Sequence, residues 1–258
     1  SIIERMGVKV RYNTRIGRDL GLHHVFSSFD AVFIASGAHG RRRLGIANED
    51  AEGVLNALDF LRSVNRGESL RVGERVLVLG GGNVAMDAAL TARRLGGREV
   101  HIVALESWDD MPAHRWEIEQ AVEEGMSIHN GWGPARIDVL DGHLKGVQFQ
   151  RCSRVYDADG LFDPLYDGSS TLFMDADTVI LVIYETIDTV YLAESGEVEL
   201  LGDGRVRVDP VSLQTSVPGV FAGGNVVTGP KTAIHAVAHD VEAAKQRTAF
   251  LAEWTAAA

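Results

Sequence analysis

A single cysteine, Cys152, stands in a chain of 258 residues. One thiol cannot close an internal disulfide, form a CxxC redox pair or ligate an iron–sulfur cluster, so electrons leaving this chain need another carrier. Scarce cysteine also fits a reducing, cytoplasmic compartment. Basic charge is short as well: 25 Lys and Arg against 36 Asp and Glu give a formal net charge of -11. Nucleic-acid binding needs the opposite, a basic face or domain. The local basic run Arg41-Arg42-Arg43 reads as a solvated turn. No apolar run reaches the roughly 18 residues of a membrane span, and no secretory signal opens the chain. Neither nucleic acid nor membrane is therefore expected as a partner. Also missing are an internal repeat of solenoid type and a nucleophile motif such as G-x-S-x-G.

What remains is an ordinary globular composition, 45% hydrophobic and 24% charged, in a chain long enough for one large domain or two modest ones. The first residue is Ser1, and Ile2 to Gly7 reads like the end of a helix already under way. An excised or truncated part of a longer protein is the expectation.

Val8 to Arg11 predicts a short strand, and the compact apolar run Asp30 to Ala35, stopped by Ser36-Gly37-Ala38, predicts a buried one. Asn56 to Asn65 has helical apolar spacing at Ala57, Leu58, Phe60, Leu61 and Val64. From Arg75 a strand–helix alternation sets in. Val76 to Leu79 is β-like, Asn83 to Leu95 is helical, and Gly96-Gly97 stops that helix. Val100 to Ala104 is a second buried strand, and 113–124 a further helix. Such alternation implies an α/β fold with a parallel sheet covered by helices. Residues 126–183 then predict an antiparallel meander of short strands (127–129, 135–140, 144–152 and 178–183), with the acidic segment Tyr156 to Ser170 as a hairpin tip. A last helix is expected from about Thr232 to Trp254.

The stretch Leu79-Gly80-Gly81-Gly82-Asn83-Val84-Ala85 fits G-x-G-x-x-A between a strand and a helix, with an acidic side chain ending the next strand about 20 residues on. Gly80 permits the tight turn, and Gly82 has no Cβ to hold a pyrophosphate off the backbone. Ala85 lets helix and strand pack closely, and the helix N-terminus offers free N–H groups and partial positive charge to the phosphates. Gly80, Gly81, Gly82, Asn83, Val84 and Ala85 are therefore candidate pyrophosphate-binding residues. Glu106, in Ala104-Leu105-Glu106-Ser107, can accept hydrogen bonds from the adenosine ribose hydroxyls and would repel a 2′-phosphate. With no arginine within that turn, NAD(H) is expected in preference to NADP(H).

Three stretches, Leu79 to Asp87, Met111-Pro112-Ala113 and Thr215 to Gly224, together with Ala31 to Ala38 and Gly45-Ile46, resemble the small-subunit type of glutamate synthase. Related flavoproteins with two dinucleotide-binding domains share the pattern. The resemblance covers nearly the whole chain and implies a Rossmann-like NAD(P)-binding domain inserted in a partial FAD-binding domain. On that basis residues 70–183 are the nicotinamide domain, and 1–69 and 184–258 the two parts of the FAD-type domain. It also implies that hydride passes from nicotinamide to FAD, and electrons onward to an iron–sulfur or other electron-transfer subunit or domain. Ser36, Gly37 and Ala38, with Gly223, Gly224 and Asn225, are the positions it implies for flavin contact.

Departures accompany the likeness. The family's cofactor arginines after the second strand correspond to Leu105 and Glu106. Its first FAD-binding glycine turn lies upstream of where this chain begins. A Gly-Gly-Asp becomes Gly223-Gly224-Asn225, which loses a charged acceptor. An Ile-Gly-Gln turn becomes Ile183-Tyr184-Glu185, and a customary small glycine in the last helix becomes Asp240. Together these changes count against FAD binding by this chain alone, although FAD is expected in the full-length parent. The first expectation is thus the NADH-binding portion of a flavin oxidoreductase. The alternative is a non-catalytic NAD-binding or regulatory module that has lost FAD.

Other constellations read blandly. Adjacent His23 and His24 point apart on any regular element. His235 and His239 are four apart on a helix but lack the glutamate of the metalloprotease pattern, so no metal is expected. Asp109-Asp110 and Glu117, Glu119, Glu123 and Glu124 read as helix N-terminal aspartates and a solvated face. Trp108, Trp116 and Trp132 read as packing residues. No catalytic acid or base is assigned, since hydride transfer depends on aligning two rings.

Overall fold

A computed structural model describes residues 2–40, 43–183 and 187–257. The chain begins with α1 (Ile2–Arg5), α2 (Leu22–Ser28), β1 (Val32–Ile34), β2 (Val54–Asn56) and α3 (Ala57–Asn65). Next come β3 (Arg75–Leu79), α4 (Asn83–Arg94), β4 (Glu99–Ala104), α5 (Arg115–Glu123) and β5 (Ser127–Asn130). Three long strands follow, β6 (Trp132–Leu140), β7 (His143–Tyr156) and β8 (Phe162–Asp175), then β9 (Thr178–Leu181). The last part holds α6 (Val190–Ser195), β10 (Val220–Ala222), α7 (Asn225–Thr228) and α8 (Ala233–Ala257). These elements form two compact units, one of Arg43–Ile183 and one of Ser1–Arg42 with Tyr184–Ala258.

The Arg43–Ile183 unit is built on a parallel sheet in the order β2-β9-β3-β4-β5. A strand buried on both faces needs apolar residues at successive positions, and Val76, Leu77 and Val78 of β3 are fully buried. Side chains still alternate between the faces. Val76, Val78 and Ile102 pack against Ala85, Met86, Ala88, Ala89 and Ala92 of α4 and Ile118 of α5. Leu77, Leu79 and Val103 pack against Ile137, Val147 and Phe149 of the antiparallel sheet β6-β7-β8. The alanines keep α4 close to the sheet. Asn56 caps α3, its side chain accepting from the N–H groups of Leu58 and Asp59.

Several elements differ from the sequence reading. Residues 43–69, expected with the first flanking part, belong to the larger unit because β2 pairs in parallel with β9 and Ala57 and Phe60 of α3 enter the same core. Segments 127–129 and 178–183 are not part of the meander. β5 is the sheet's edge beside β4, and β9 lies inside it between β2 and β3. All four residues of β9 are buried, the pattern of an interior parallel strand. The acidic segment Tyr156 to Ser170 is mostly ladder, since β7 and β8 pair out to Tyr156 and Phe162. The turn itself is short. Asp157 closes it by accepting from the N–H groups of Asp159 and Leu161 at 2.9 and 2.8 Å. Val8 to Arg11 forms no strand; Val8 and Val10 are both exposed, so no packing rewards an extended run there.

In the other unit, β1 and β10 pair in parallel with Val32, Phe33 and Ile34 opposite Val220, Phe221 and Ala222. Its core joins Ile34, Val220, Ala222 and Val226 to Leu22, Leu192, Val198 and Val206. Helix α8 lies against this pair of strands, with Phe250 edge-on to Phe221 at 5.9 Å. Residues Arg41 and Arg42 of the basic run, and Tyr184 and Glu185 of the altered turn, lie outside the described residues.

Phe149 is fully buried between the sheets, whereas Phe162 is 52% exposed. Phe149→Ala should lower unfolding stability by about 3–5 kcal/mol through lost burial and a cavity. Phe162→Ala should change it by no more than about 0.5 kcal/mol. Urea titration of both variants measures the contrast.

Candidate functional site

The glycine turn grows directly out of the central strand. The Gly80 N–H donates to the Val103 carbonyl at 2.9 Å, and the Val182 N–H donates to the Leu79 carbonyl at 2.9 Å. The carboxyl ends of β4, β3 and the segment after β9 are thereby held level. Gly80 has φ +146°, and a Cβ there would lie 2.9 Å from Val182 Cβ, so only glycine fits. At Gly81 a Cβ would meet Glu106 Oε2 at 2.8 Å. Gly82 differs from both. It is extended, at φ -91° and ψ 177°, and caps α4 without a side-chain hydrogen bond. A Cβ on it would find nothing closer than Pro112 Cγ at 4.0 Å. Packing within the protein accounts for the first two glycines but not for the third. A ligand approaching the backbone at the N-terminus of α4, where helix N–H groups lack intrahelical partners, would account for it.

The remaining predicted residues divide their work. Ala85 is fully buried, as close helix–strand packing requires. Val84 packs against the helix-side core. The Asn83 side chain is already engaged, its Oδ1 accepting the His114 N–H at 3.0 Å, so what it offers a phosphate is its backbone N–H. The Gly81 carbonyl accepts the Ala113 N–H at 3.1 Å. Met111-Pro112-Ala113-His114 is thus a latch laid across the glycine turn, a role the sequence reading left unassigned. The sequence signal for it is the Met111-Pro112-Ala113 motif that carries the family likeness.

Glu106 is buried, 7% exposed. Its carbonyl accepts the Gly131 N–H at 3.2 Å and the Asn130 Nδ2 at 3.0 Å, tying the end of β4 to the end of β5. Burial pushes its carboxyl above the usual range and the charge of Asp110 adds to this, while its own backbone N–H opposes. Among the described residues it has no ion-pair partner. A carboxylate withdrawn from water with its own backbone N–H as its recorded donor can accept more hydrogen bonds, and a ribose with two hydroxyls has two to give.

Two arginines flank this end of the sheet, each over a tryptophan. Arg115 lies 5.0 Å from the Trp108 ring centre, and Arg151 5.3 Å from that of Trp132. Trp108 and Trp132 are also packed on the two cores. Trp116, expected to pack, is 61% exposed and stacks on His114.

In the other unit the structure brings Ser36-Gly37-Ala38 and Gly223-Gly224-Asn225 together. They follow the carboxyl ends of the paired β1 and β10, and the Gly223 N–H donates to the Ile34 carbonyl at 3.1 Å. Ligands of open α/β sheets bind at such ends. The space at Gly223 is filled from within, however. A Cβ there would lie 2.7 Å from Phe33 Cζ and 3.2 Å from His239 Cβ. Asn225 Oδ1 accepts the Lys231 N–H at 3.2 Å. Gly223 and the Asn225 side chain are thus engaged in internal packing and a loop. His235 Nδ1 shares a 2.7 Å hydrogen bond with Thr232 Oγ1. Among the described residues no group of three or more His, Cys, Asp or Glu is placed to hold a metal.

The two turn glycines should separate experimentally. Gly80→Ala should destabilise the ligand-free chain by about 1–3 kcal/mol through backbone strain, whereas Gly82→Ala should leave its thermal unfolding midpoint unchanged. Glu106 should also shape stability against pH. Because its folded-state pKa is raised, its contribution is fully present below the ordinary carboxylate pKa and is lost as pH rises through the raised value. Glu106→Gln should therefore stabilise the ligand-free chain at neutral pH and flatten that part of the profile, as denaturant titrations across pH would show.

The pyridine nucleotide-disulphide oxidoreductase family matches residues 24–239. The beta subunit of an NADP(+)-dependent formate dehydrogenase from Moorella thermoacetica is 39% identical over 98% of this chain and 36% of its own length. The small chain of the NADPH glutamate synthase of Escherichia coli is 34% identical over 94% of this chain and 55% of its own. The chain thus spans roughly a third to just over half of these relatives. The structure of FprA from Mycobacterium tuberculosis in complex with NADPH shares the fold, with a TM-score of 0.72 at 17% identity, covering 95% of this chain and 68% of that one. The likeness to the glutamate synthase small subunit holds, and this chain is a member of the pyridine nucleotide-disulphide oxidoreductase family.

Proposed function

We propose that this chain is the NADH-binding portion of a flavin-dependent oxidoreductase. The observation that carries the reading is the uncrowded Gly82 backbone at the N-terminus of α4, where a Cβ would meet only Pro112 Cγ at 4.0 Å, with the buried Glu106 carboxylate beside the same turn. The backbone N–H groups of Gly82, Asn83 and Val84 would receive the pyrophosphate, and Glu106 would accept from the adenosine ribose hydroxyls. The latch at Pro112 to His114 would keep the turn in one conformation before the nucleotide arrives.

The relatives just described are named for NADP(+) or NADPH. This chain parts from the glutamate synthase pattern at Leu105-Glu106, where a buried carboxylate replaces positive charge and disfavours a 2′-phosphate. NADH is accordingly the preferred nucleotide. In the whole protein, nicotinamide would supply hydride to FAD, with electrons continuing to a further subunit or domain in a cytoplasmic setting. The family name notwithstanding, this chain has one cysteine, buried, and so carries no redox disulfide of its own.

A second reading, a nucleotide-binding module without flavin, is favoured by Gly223 and Asn225, whose surroundings are taken up internally. Calorimetric titration with NADH and NADPH, with an absorption spectrum of the same sample, tests both. NADH should bind more tightly than NADPH. Glu106→Gln should weaken NADH about tenfold or more by removing charged hydrogen bonds to the ribose, and should narrow the gap to NADPH. Binding of neither nucleotide would sink the proposal. A yellow sample with a flavin band would favour the oxidoreductase reading for this chain itself; a colourless one that binds NADH would favour the module.

A further inference from the structure

We infer that Arg151 is the 2′-phosphate-binding residue of this chain, opposing Glu106 in the choice between NADPH and NADH. The inference rests on the proposed seat of the nucleotide at the Gly80–Asn83 turn.

In a nucleotide-binding sheet of this kind the adenosine lies beyond the carboxyl ends of the strands, on the side of the second strand. Here that place is the junction of β4 and β5, where the Gly131 N–H and Asn130 Nδ2 both donate to the Glu106 carbonyl. Arg151 comes to this junction from the antiparallel sheet. It sits opposite Trp132 in the β6–β7 ladder, and its Nη1 donates to the Asn130 carbonyl at 3.2 Å. Its guanidinium covers Gly131, where a Cβ would lie 3.0 Å from Cζ and from Nη2. Gly131 thus makes room for it. The ring of Trp132 backs one side of the guanidinium plane.

The charges around this residue set it apart. Arg115, the other arginine at this end of the sheet, has Asp109 at 3.9 Å and Glu119 at 3.6 Å. Arg151 has no carboxylate partner among the described residues and is held by a neutral ring and a carbonyl. Its Nε and Nη2 have no protein acceptor among them. An exposed, pre-oriented guanidinium with donors to spare suits a phosphate dianion, which it can meet with two parallel hydrogen bonds. Both charges are felt at one thiol. Burial pushes the Cys152 thiol up; of the charges around it, Glu106 adds to the rise and Arg151 opposes it. Leu105 leaves the ordinary position after β4 without a cation, and Arg151 supplies one from a different strand. The two residues then pull nucleotide choice in opposite directions.

The test is titration of the chain, and of its Arg151→Ala and Arg151→Lys variants, with NADH, NADPH, 5′-AMP and adenosine 2′,5′-bisphosphate. Arg151→Ala should weaken NADPH and the 2′,5′-bisphosphate about tenfold or more, the loss of a charge-assisted pair. NADH and AMP should stay within about twofold, which also shows that the variant is folded. Arg151→Lys, keeping charge but not the planar fork, should fall between. Equal weakening of phosphorylated and unphosphorylated probes would overturn the inference and place Arg151 against the adenine or in the fold. So would NADH binding by the unaltered chain without measurable affinity for either 2′-phosphorylated probe. Failure of the unaltered chain to bind any of the four probes would instead overturn the nucleotide-site reading beneath it.

Discussion

Two backbone hydrogen bonds, Gly80 N–H to the Val103 carbonyl and Val182 N–H to the Leu79 carbonyl, set the geometry on which the Arg43–Ile183 unit depends. They end three parallel strands at the same level and force the chain to leave β3 through a turn that only glycine can make at position 80. From that turn α4 starts in one direction only, with its unpaired N–H groups at the carboxyl edge of the sheet. The alanines of α4 then bring the helix close enough for its first turn to stay beside the strand ends. Shifting the strand ends would move the turn and the positive end of the helix together.

The two faces of the sheet contribute differently to the site. The helical face holds the glycine turn proposed for the pyrophosphate through α4 and, by way of the latch to Gly81 and Asn83, through the loop before α5. The antiparallel sheet on the opposite face carries Trp132 and Arg151 to the end proposed for the adenosine. Glu106 stands where these contributions meet, its backbone bonded to β5 and its carboxylate beside Gly81. Keeping that carboxylate out of water without an ion-pair partner costs stability. Hydrogen-bond donors on the proposed nucleotide would offset that cost on binding. A site of this kind trades stability of the free chain for affinity.

Much of this was legible in the sequence because the nucleotide turn is local. Strand, three glycines, helix and the acidic residue after the next strand follow one another within about 30 residues, and each makes its contribution through backbone geometry or its own side chain. The strands β5 and β9 were misplaced for the opposite reason. A four-residue apolar run such as Thr178 to Leu181 carries no record of its partner, and only the ladder shows that it lies between β2 and β3. Residues 43–69 were grouped with the flanking segment for the same reason. The latch was invisible because its two bonds join positions about 30 residues apart, one of them through an asparagine that the sequence reading had given to the ligand.

The sequence by itself determined the fold class, the glycine turn with its helix, and the carboxylate after the second strand, since periodicity, glycine placement and residue chemistry act over short spans. Only the tertiary structure decided what surrounds those parts. It shows that a Cβ at Gly82 would meet nothing closer than Pro112 Cγ, while one at Gly223 would collide with Phe33 and crowd His239. It shows too that Glu106 is buried and that an arginine from β7 covers the end of β5. A glycine tells nothing of what lies where its side chain would be, and an arginine nothing of where its guanidinium ends up. Those are facts of packing between segments distant in the chain, and packing exists only once the chain has folded.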